Sequence, residues 1–247
     1  MTGTNHTNFT PTSDTPQPVI ILVNPQMGEN IGAAARAMLN CGLMHLRLVN
    51  PRDGWPSERA IAMAAGALEL MPNVDVYDNL TEAVADCQTV YATTARARDL
   101  VKPVMTARHA ATDMQTNITA GQKIAILFGA ERSGLSNEEL EQAHKLITIP
   151  LNPGFSSLNL GQSVLLVSYE WSQYTFDTKP ESLPLGKSLP ATAKEFNIFF
   201  ERLDTELQHK RFYRVPEMKD YISRNIRSLF SRAQPTDQEI STLHGIL

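Results

Sequence analysis

From residue 19 to residue 171, short runs of β-branched and aliphatic side chains alternate with longer stretches of helical spacing. No other feature of the chain restricts the fold as much. Val19–Val23, Leu46–Val49, Thr89–Thr93 and Ile124–Phe128 read as strands, as do residues 74–77 and 146–149. Between them Ile31, Ala34, Ala35, Met38 and Leu39 recur at helical spacing, and residues 58–70 are rich in alanine and leucine. Residues 162–171 form an apolar run long enough for a buried helix. Asn79 with Glu82, and Ser136 with Glu139, have the spacing of capping boxes, which satisfy the free N–H groups at a helix start. Such a chain folds as an α/β domain, a parallel sheet with helices on both faces, because every crossover helix must lie back on the sheet.

The flanks read differently. Residues 1–17 are rich in Thr, Asn and Pro and read as a disordered tail. The sheet domain spans residues 18–175, and residues 176–190, with several prolines among Asp, Thr, Lys, Ser and Gly, read as a linker. Residues 191–247 form a small all-helical C-terminal domain. One amphipathic stripe there is Phe196, Phe199, Phe200, Leu203 and Leu207; a second is Met218, Tyr221, Ile222, Ile226, Leu229 and Phe230. Both read as core. Thr236 and Glu239 cap a last short helix. Lys210, Arg211, Arg214, Lys219, Arg224, Arg227 and Arg232 outnumber nearby acids, which fits a solvated face or a face that meets phosphates.

A net charge of −4 over 247 residues gives no global sign of nucleic-acid binding, so any such claim rests on local cations. Cys41 and Cys87 stand alone, as expected of a reduced chain, and no apolar run approaches membrane-spanning length. We expect a cytoplasmic protein. The six histidines are scattered without ligand spacing and there is no Gly-x-Ser-x-Gly elbow, so neither a metal nor a covalent triad is expected.

Chemistry-bearing residues gather where strands end. After the first strand comes Asn24-Pro25-Gln26-Met27-Gly28-Glu29-Asn30-Ile31-Gly32-Ala33-Ala34-Ala35-Arg36. Gly28 and Gly32 lie four apart, which is not the Gly-x-Gly-x-x-Gly of a dinucleotide site, and a nicotinamide-dependent dehydrogenase is disfavoured. Asn30 is placed to cap the helix; Gly32 leaves room for an approaching group, and Arg36, one turn on, faces it. A plain surface arginine is the alternative. Leu127-Phe128-Gly129-Ala130-Glu131-Arg132-Ser133-Gly134-Leu135 joins a buried strand to a capped helix; Glu131 and Arg132 are an ion pair or polar ligands. Thr93-Thr94-Ala95-Arg96-Ala97-Arg98 leaves another strand. Residues 149–160 read Ile-Pro-Leu-Asn-Pro-Gly-Phe-Ser-Ser-Leu-Asn-Leu: a rigid loop that brings hydroxyls, an amide and backbone N–H groups to a helix start, or a loop with Ser156 or Ser157 as an ordinary cap.

Taken together, Asn30-x-Gly32-x3-Arg36, Phe128-Gly129-x-Glu131-x2-Gly134-Leu135 and Ile149-Pro150-x-Asn152-Pro153-x2-Ser156-Ser157-Leu158-Asn159-Leu160 resemble the three motifs of the SpoU (TrmH-like) branch of SPOUT RNA methyltransferases. Within that branch the chain resembles the TrmJ group of tRNA (cytidine/uridine-32) 2′-O-methyltransferases. The resemblance runs from about Val19 to Trp171 and extends to the helical tail. It implies S-adenosylmethionine as methyl donor, a C-terminal trefoil knot in the sheet domain, a homodimer and a tRNA substrate. Threaded chains are rare, so the knot rests on the resemblance alone.

Carried over position by position, the resemblance puts the cofactor against Thr93, Thr94, Ala95, Leu127, Gly129, Ile149, Ser156, Ser157 and Leu158. The catalytic set is Arg36, Ser157, Asn159 and Glu131. The family assigns the base role to the arginine matching Arg36; a guanidinium stays protonated, so our reading is that Arg36 binds the adjacent phosphate and orients the hydroxyl. RNA would meet Asn30, Arg36, Arg96, Arg98, Lys102 and Arg108, and the tail through Lys210, Arg211 and Arg214. The alternatives are a ribosomal RNA 2′-O-methyltransferase of the same fold and a non-catalytic RNA-binding relative.

Overall fold

The structure, a computed structural model, describes residues 15–95, 100–176 and 185–247. The expected disordered tail falls largely on residues 1–14 and most of the expected linker on residues 177–184, outside the described residues. The chain divides into two compact units, Met1–Thr178 and Lys179–Leu247.

In the first unit the order is β1 (Val19–Val23), α1 (Gly28–Asn40), β2 (Leu46–Val49), α2 (Glu58–Ala64), α3 (Ala67–Leu70), β3 (Asp75–Tyr77), α4 (Leu80–Ala83), β4 (Thr89–Thr93), β5 (Val104–Thr106), α5 (Ala107–Thr119), β6 (Ile124–Phe128), α6 (Asn137–Glu141), β7 (Lys145–Thr148) and α7 (Leu160–Thr175). The seven strands form one sheet, ordered β3-β2-β1-β6-β4-β7-β5. Every pairing is parallel. Side chains of a strand alternate between faces, and β1 shows what that demands of the sequence. Ile20 and Leu22 enter one core with Ile31, Met38, Met114 and Val164; Val19, Ile21 and Val23 enter the other with Leu80, Leu135 and Leu140. A strand buried on both faces must be aliphatic throughout, which is why β1 and β6 stand out in the sequence.

Four local expectations are corrected. Residues 58–70 are not one helix: Ala65 and Gly66 take left-handed φ values of 50° and 87°, which ends α2 and offsets α3. α1 begins at Gly28, so Asn30 lies inside its first turn and does not cap it. The start of α7 is capped by Asn159, paired with Gln162 in a capping box, not by Ser156 or Ser157. Finally, β5 and α5 were not expected. β5 is a three-residue edge strand held only by β7, too short to show a period, and Thr106 caps the helix behind it.

The second unit contains α8 (Ala193–His209), a 3-10 turn at Pro216–Met218, α9 (Lys219–Ala233) and α10 (Asp237–Ile246). Phe199 packs edge-on against Phe230 and His244, with ring centroids 5.3 and 5.5 Å apart. Phe199, Phe200 and Ile240 are buried. Met218, Tyr221 and Leu229, read as core, are instead exposed: three helices of this size cannot enclose a second full stripe. No helix among the described residues is long and apolar enough to cross a membrane.

Candidate functional site

β1, β6, β4 and β7 are consecutive and parallel, so the four strand ends marked by the sequence meet at one rim. A cavity opens there. Thr93, Thr94 and Ala95 wall it from the end of β4, Gly129 and Glu131 from beyond β6, and Ile149, Ser156, Ser157 and Leu158 from beyond β7. The Thr93 hydroxyl donates to the Leu127 carbonyl at 3.0 Å and the Thr94 N–H to the Ile147 carbonyl at 2.9 Å, which pins this wall to the sheet. Leu127 itself does not line the cavity. It is fully buried in β6 and points into the core behind the rim, because its place in the strand alternation faces away.

Gly129 is a glycine for a steric reason. A Cβ there would stand 2.2 Å from the Leu135 nitrogen, so a larger residue would push apart the loop that folds back after β6. Beyond β7, the Asn152 side chain accepts from the Gly154 N–H at 3.0 Å and its carbonyl from the Phe155 N–H at 2.9 Å. That turn leaves the Ser156 and Ser157 hydroxyls exposed at the cavity, without partners among the described residues.

Glu131 is the hub of the rim. Its carboxylate accepts from the Gln26 N–H at 2.8 Å, the Met27 N–H at 3.2 Å and the Asn30 side-chain amide at 2.8 Å. Asn30 in turn accepts from the Asn159 amide at 2.7 Å, and the Asn159 oxygen accepts from the Gly161 N–H at 2.8 Å. One carboxylate therefore ties together the loops after β1, β6 and β7. Of the two expectations for Glu131, the ion pair with Arg132 does not form among the described residues: the carboxylate binds N–H groups instead. Asn30, expected to meet RNA, is buried and spends its amide and its oxygen inside this chain.

Gly32 also needs correcting. A Cβ there would come within 2.1 Å of the Ala60 carbonyl, so the group approaching Gly32 is the backbone of α2. Arg36 is exposed and has no partner among the described residues. It lies six residues beyond Asn30, about 9 Å along the helix axis and back from the rim. Of the other expected RNA contacts, Arg96 and Arg98 lie outside the described residues. The Lys102 ammonium is held by the Glu141 and Ala143 carbonyls, and Arg108 pairs with Glu170 at 3.1 and 3.3 Å. Neither is free for phosphate as it stands. Lys210, Arg211 and Arg214 are exposed and have no ionic partners among the described residues.

The profile of the SpoU rRNA Methylase family matches residues 17–169, more than half of the chain and all of this rim. The chain belongs to that family. Among SpoU relatives it is 36% identical over 229 residues to a tRNA (cytidine/uridine-2′-O-)-methyltransferase TrmJ of Sodalis glossinidius, covering 92% of this chain and 89% of the relative. The TrmJ of Klebsiella pneumoniae is 35% identical over 233 residues, with 92% and 93% covered. The crystal structure of TrmJ from Z. mobilis ZM4 superposes with a TM-score of 0.81 at 44% identity, covering 93% of this chain and 97% of that one. A SpoU methyltransferase of Streptomyces viridochromogenes, 17% identical, shares the fold at a TM-score of 0.55.

Beside the SpoU motifs lie polar residues that the sequence reading passed over. Asn24 donates to Glu139 at 2.8 Å and accepts from Asn50 at 3.0 Å, at the ends of β1 and β2. A signal for them exists: Leu-Val-Asn-Pro occurs twice, at residues 22–25 and 48–51. Among the described residues no group of three His, Cys, Asp or Glu side chains forms a metal site.

Proposed function

We propose that this protein transfers a methyl group from S-adenosylmethionine to a ribose 2′-hydroxyl of tRNA, at nucleotide 32 of the anticodon loop. The observation that carries this reading is the Glu131–Asn30–Asn159 chain, which holds the three motif loops around one cavity. The cavity suits the cofactor chemically. Ile149 and Leu158 offer apolar walls, while Thr93, Ser156 and Ser157 offer hydroxyls, the mixture expected of a pocket for a largely apolar molecule with a few fixed polar groups. The names of the Sodalis and Klebsiella relatives support the same reaction and substrate.

When bound, S-adenosylmethionine supplies an electrophilic methyl on a positive sulfur. Thr93, Thr94, Ala95, Gly129, Ile149, Ser156, Ser157 and Leu158 hold it. The free Ser157 hydroxyl positions the ribose, Asn159 braces the loop that carries it, and Glu131 keeps the rim assembled. Proximity and orientation of this kind account for a large part of such a barrier. Arg36 remains a cation and binds the phosphate beside the target. Its distance from its own rim, together with exposed Leu165, Leu166 and Tyr169 on α7, supports a homodimer in which Arg36 serves the site of a second copy. The trefoil knot is supported by the strand order, with β6 inserted between β1 and β4 and β7 between β4 and β5, and by α7 returning to α1 and α5. Residues 191–247 act as a separate helical domain that grips tRNA through Lys210, Arg211 and Arg214.

Incubation with methyl-labelled S-adenosylmethionine and unmodified tRNA, followed by mapping of 2′-O-methylation, tests the reading. One labelled ribose at nucleotide 32 is expected, lost in Arg36→Ala with cofactor affinity unchanged. Transfer to a base, or none at all, overturns it.

A further inference from the structure

A second and larger cavity, about 610 Å³, lies on the other side of the loop that walls the cofactor cavity; Ala130, Ser133, Gly134 and Leu135 border both. Its remaining wall comes from the ends of β1 and β2: Asn24, Gln26, Asn50, Pro51 and Arg52, with Glu139 opposite. The two Leu-Val-Asn-Pro segments stand side by side here, with Leu22 opposite Leu48 and Val23 opposite Val49. Both asparagines leave their strands with left-handed φ, 50° at Asn24 and 46° at Asn50, a conformation asparagine tolerates better than most residues. The wall is braced: Asn50 donates to Asn24, Asn24 to Glu139, and the Arg52 N–H to the Pro25 carbonyl at 3.0 Å.

Against that brace, Gln26 is conspicuous. Its backbone N–H is fixed by Glu131, yet the side-chain amide of this half-buried, cavity-lining residue has no partner among the described residues. The Arg52 guanidinium is exposed on the same wall; among the described residues its one polar partner is its neighbour Asp53, at 3.2 Å from Nε. A primary amide presents a donor and an acceptor and can turn over to exchange them. It therefore pairs with the amino group at C4 of cytosine in one orientation and with the carbonyl at C4 of uracil in the other. A purine presents its corresponding 6-amino or 6-oxo group farther from its ribose than a pyrimidine presents the group at C4. A planar guanidinium beside it suits a phosphate.

We propose that this cavity holds the pyrimidine base of the substrate nucleotide, with Gln26 reading the group at C4 and Arg52 meeting a phosphate of the same strand. This deepens the proposed function and rests on it. The Gln26 amide accepts either pyrimidine, and Glu131 couples the reader to the ribose end of the site through one carboxylate. Asn50 and Asn24 are positioning residues that hold the wall in shape.

The experiment uses the full-length protein, labelled S-adenosylmethionine and two tRNA transcripts differing only in cytidine or uridine at nucleotide 32. Gln26→Glu leaves only an acceptor at the reader position and should shift the cytidine-to-uridine ratio of kcat/KM about tenfold toward cytidine. Gln26→Lys leaves only donors and should shift it by a similar factor toward uridine. Cofactor affinity, measured by calorimetry, should match the wild-type protein in both. A ratio that stays constant in both variants, or moves the same way in both, overturns the proposal. If the wild-type protein methylates neither transcript, the functional reading falls and takes the proposal with it; that outcome is distinct from normal transfer with an unmoved ratio.

Discussion

Glu131 concentrates most of the rim's dependence in one carboxylate. It accepts three N–H groups from residues about a hundred positions away in the chain, and each would be left short of a partner without it. Glu131→Gln replaces one acceptor oxygen by a donor that faces donors. The unfolding free energy should fall by about 1–3 kcal/mol, read from the urea midpoint, and methyl transfer should fall by more than that stability loss explains. An unchanged transfer rate would show that the loops keep their places without the hub. The same logic corrects the reading of Asn30. Its position in the motif invites a ligand role, but its polar atoms are consumed by Glu131 and Asn159.

A different carboxylate sets the acid response. Asp86 accepts from buried Arg47 at 2.7 and 2.8 Å, and that guanidinium holds its carboxyl well below the usual range. A folded-state pKa below the unfolded value of about 4 means stability that is present above that value and lost as pH falls through the folded one. Asp86→Asn should therefore lower the urea midpoint clearly at about pH 7, with the gap to the wild-type protein narrowing toward about pH 2. Burial, by contrast, pushes the Cys87 thiol up to about 11, so it is largely unreactive near neutral pH.

Among the elements, α1 packs closely against two neighbours. Gly32 admits the Ala60 carbonyl of α2, and Ala33 meets Gly161 of α7 where a Cβ on that glycine would stand at 2.9 Å. Gly32→Ala should gain up to about 1 kcal/mol of helix propensity. It must also displace backbone that cannot give way, an overpacking cost of about 1–3 kcal/mol. The clash is with a carbonyl rather than a flexible side-chain tip, so a net loss in thermal midpoint is expected. A variant more stable than wild type would mean that α2 slides freely on α1. The helices that were legible in advance are those with an apolar stripe, such as α1, or with a capping box, such as α6 at Ser136. α5 was missed because its apolar positions are mostly alanine, which gives little periodic contrast.

At the scale of the whole molecule, the expected contacts fall into two separate units. The rim and both cavities belong to Met1–Thr178, while Lys210, Arg211 and Arg214 belong to Lys179–Leu247. Removing residues 179–247 should leave S-adenosylmethionine affinity nearly unchanged and weaken tRNA binding. The slope of log affinity against log salt should become shallower by about two, as expected when about three phosphate contacts disappear. Normal tRNA affinity with an unchanged slope would make the helical unit a support rather than a grip.

The sequence by itself determined the α/β class, the parallel sheet and the three motif loops. Strands buried on both faces must be aliphatic, and tight loops at strand ends must carry glycine or proline, so both leave a local signature. Only the tertiary structure decided which motif residues line the open cavity and which bind one another. Asn30 and Glu131 are 101 residues apart, and Asn30 and Asn159 are 129 apart. Their hydrogen bonds exist because the sheet inserts β6 beside β1 and brings α7 back against α1. No local pattern encodes a partner at that distance; for the same reason the cavity between the two Leu-Val-Asn-Pro segments emerges only once β1 and β2 lie in register.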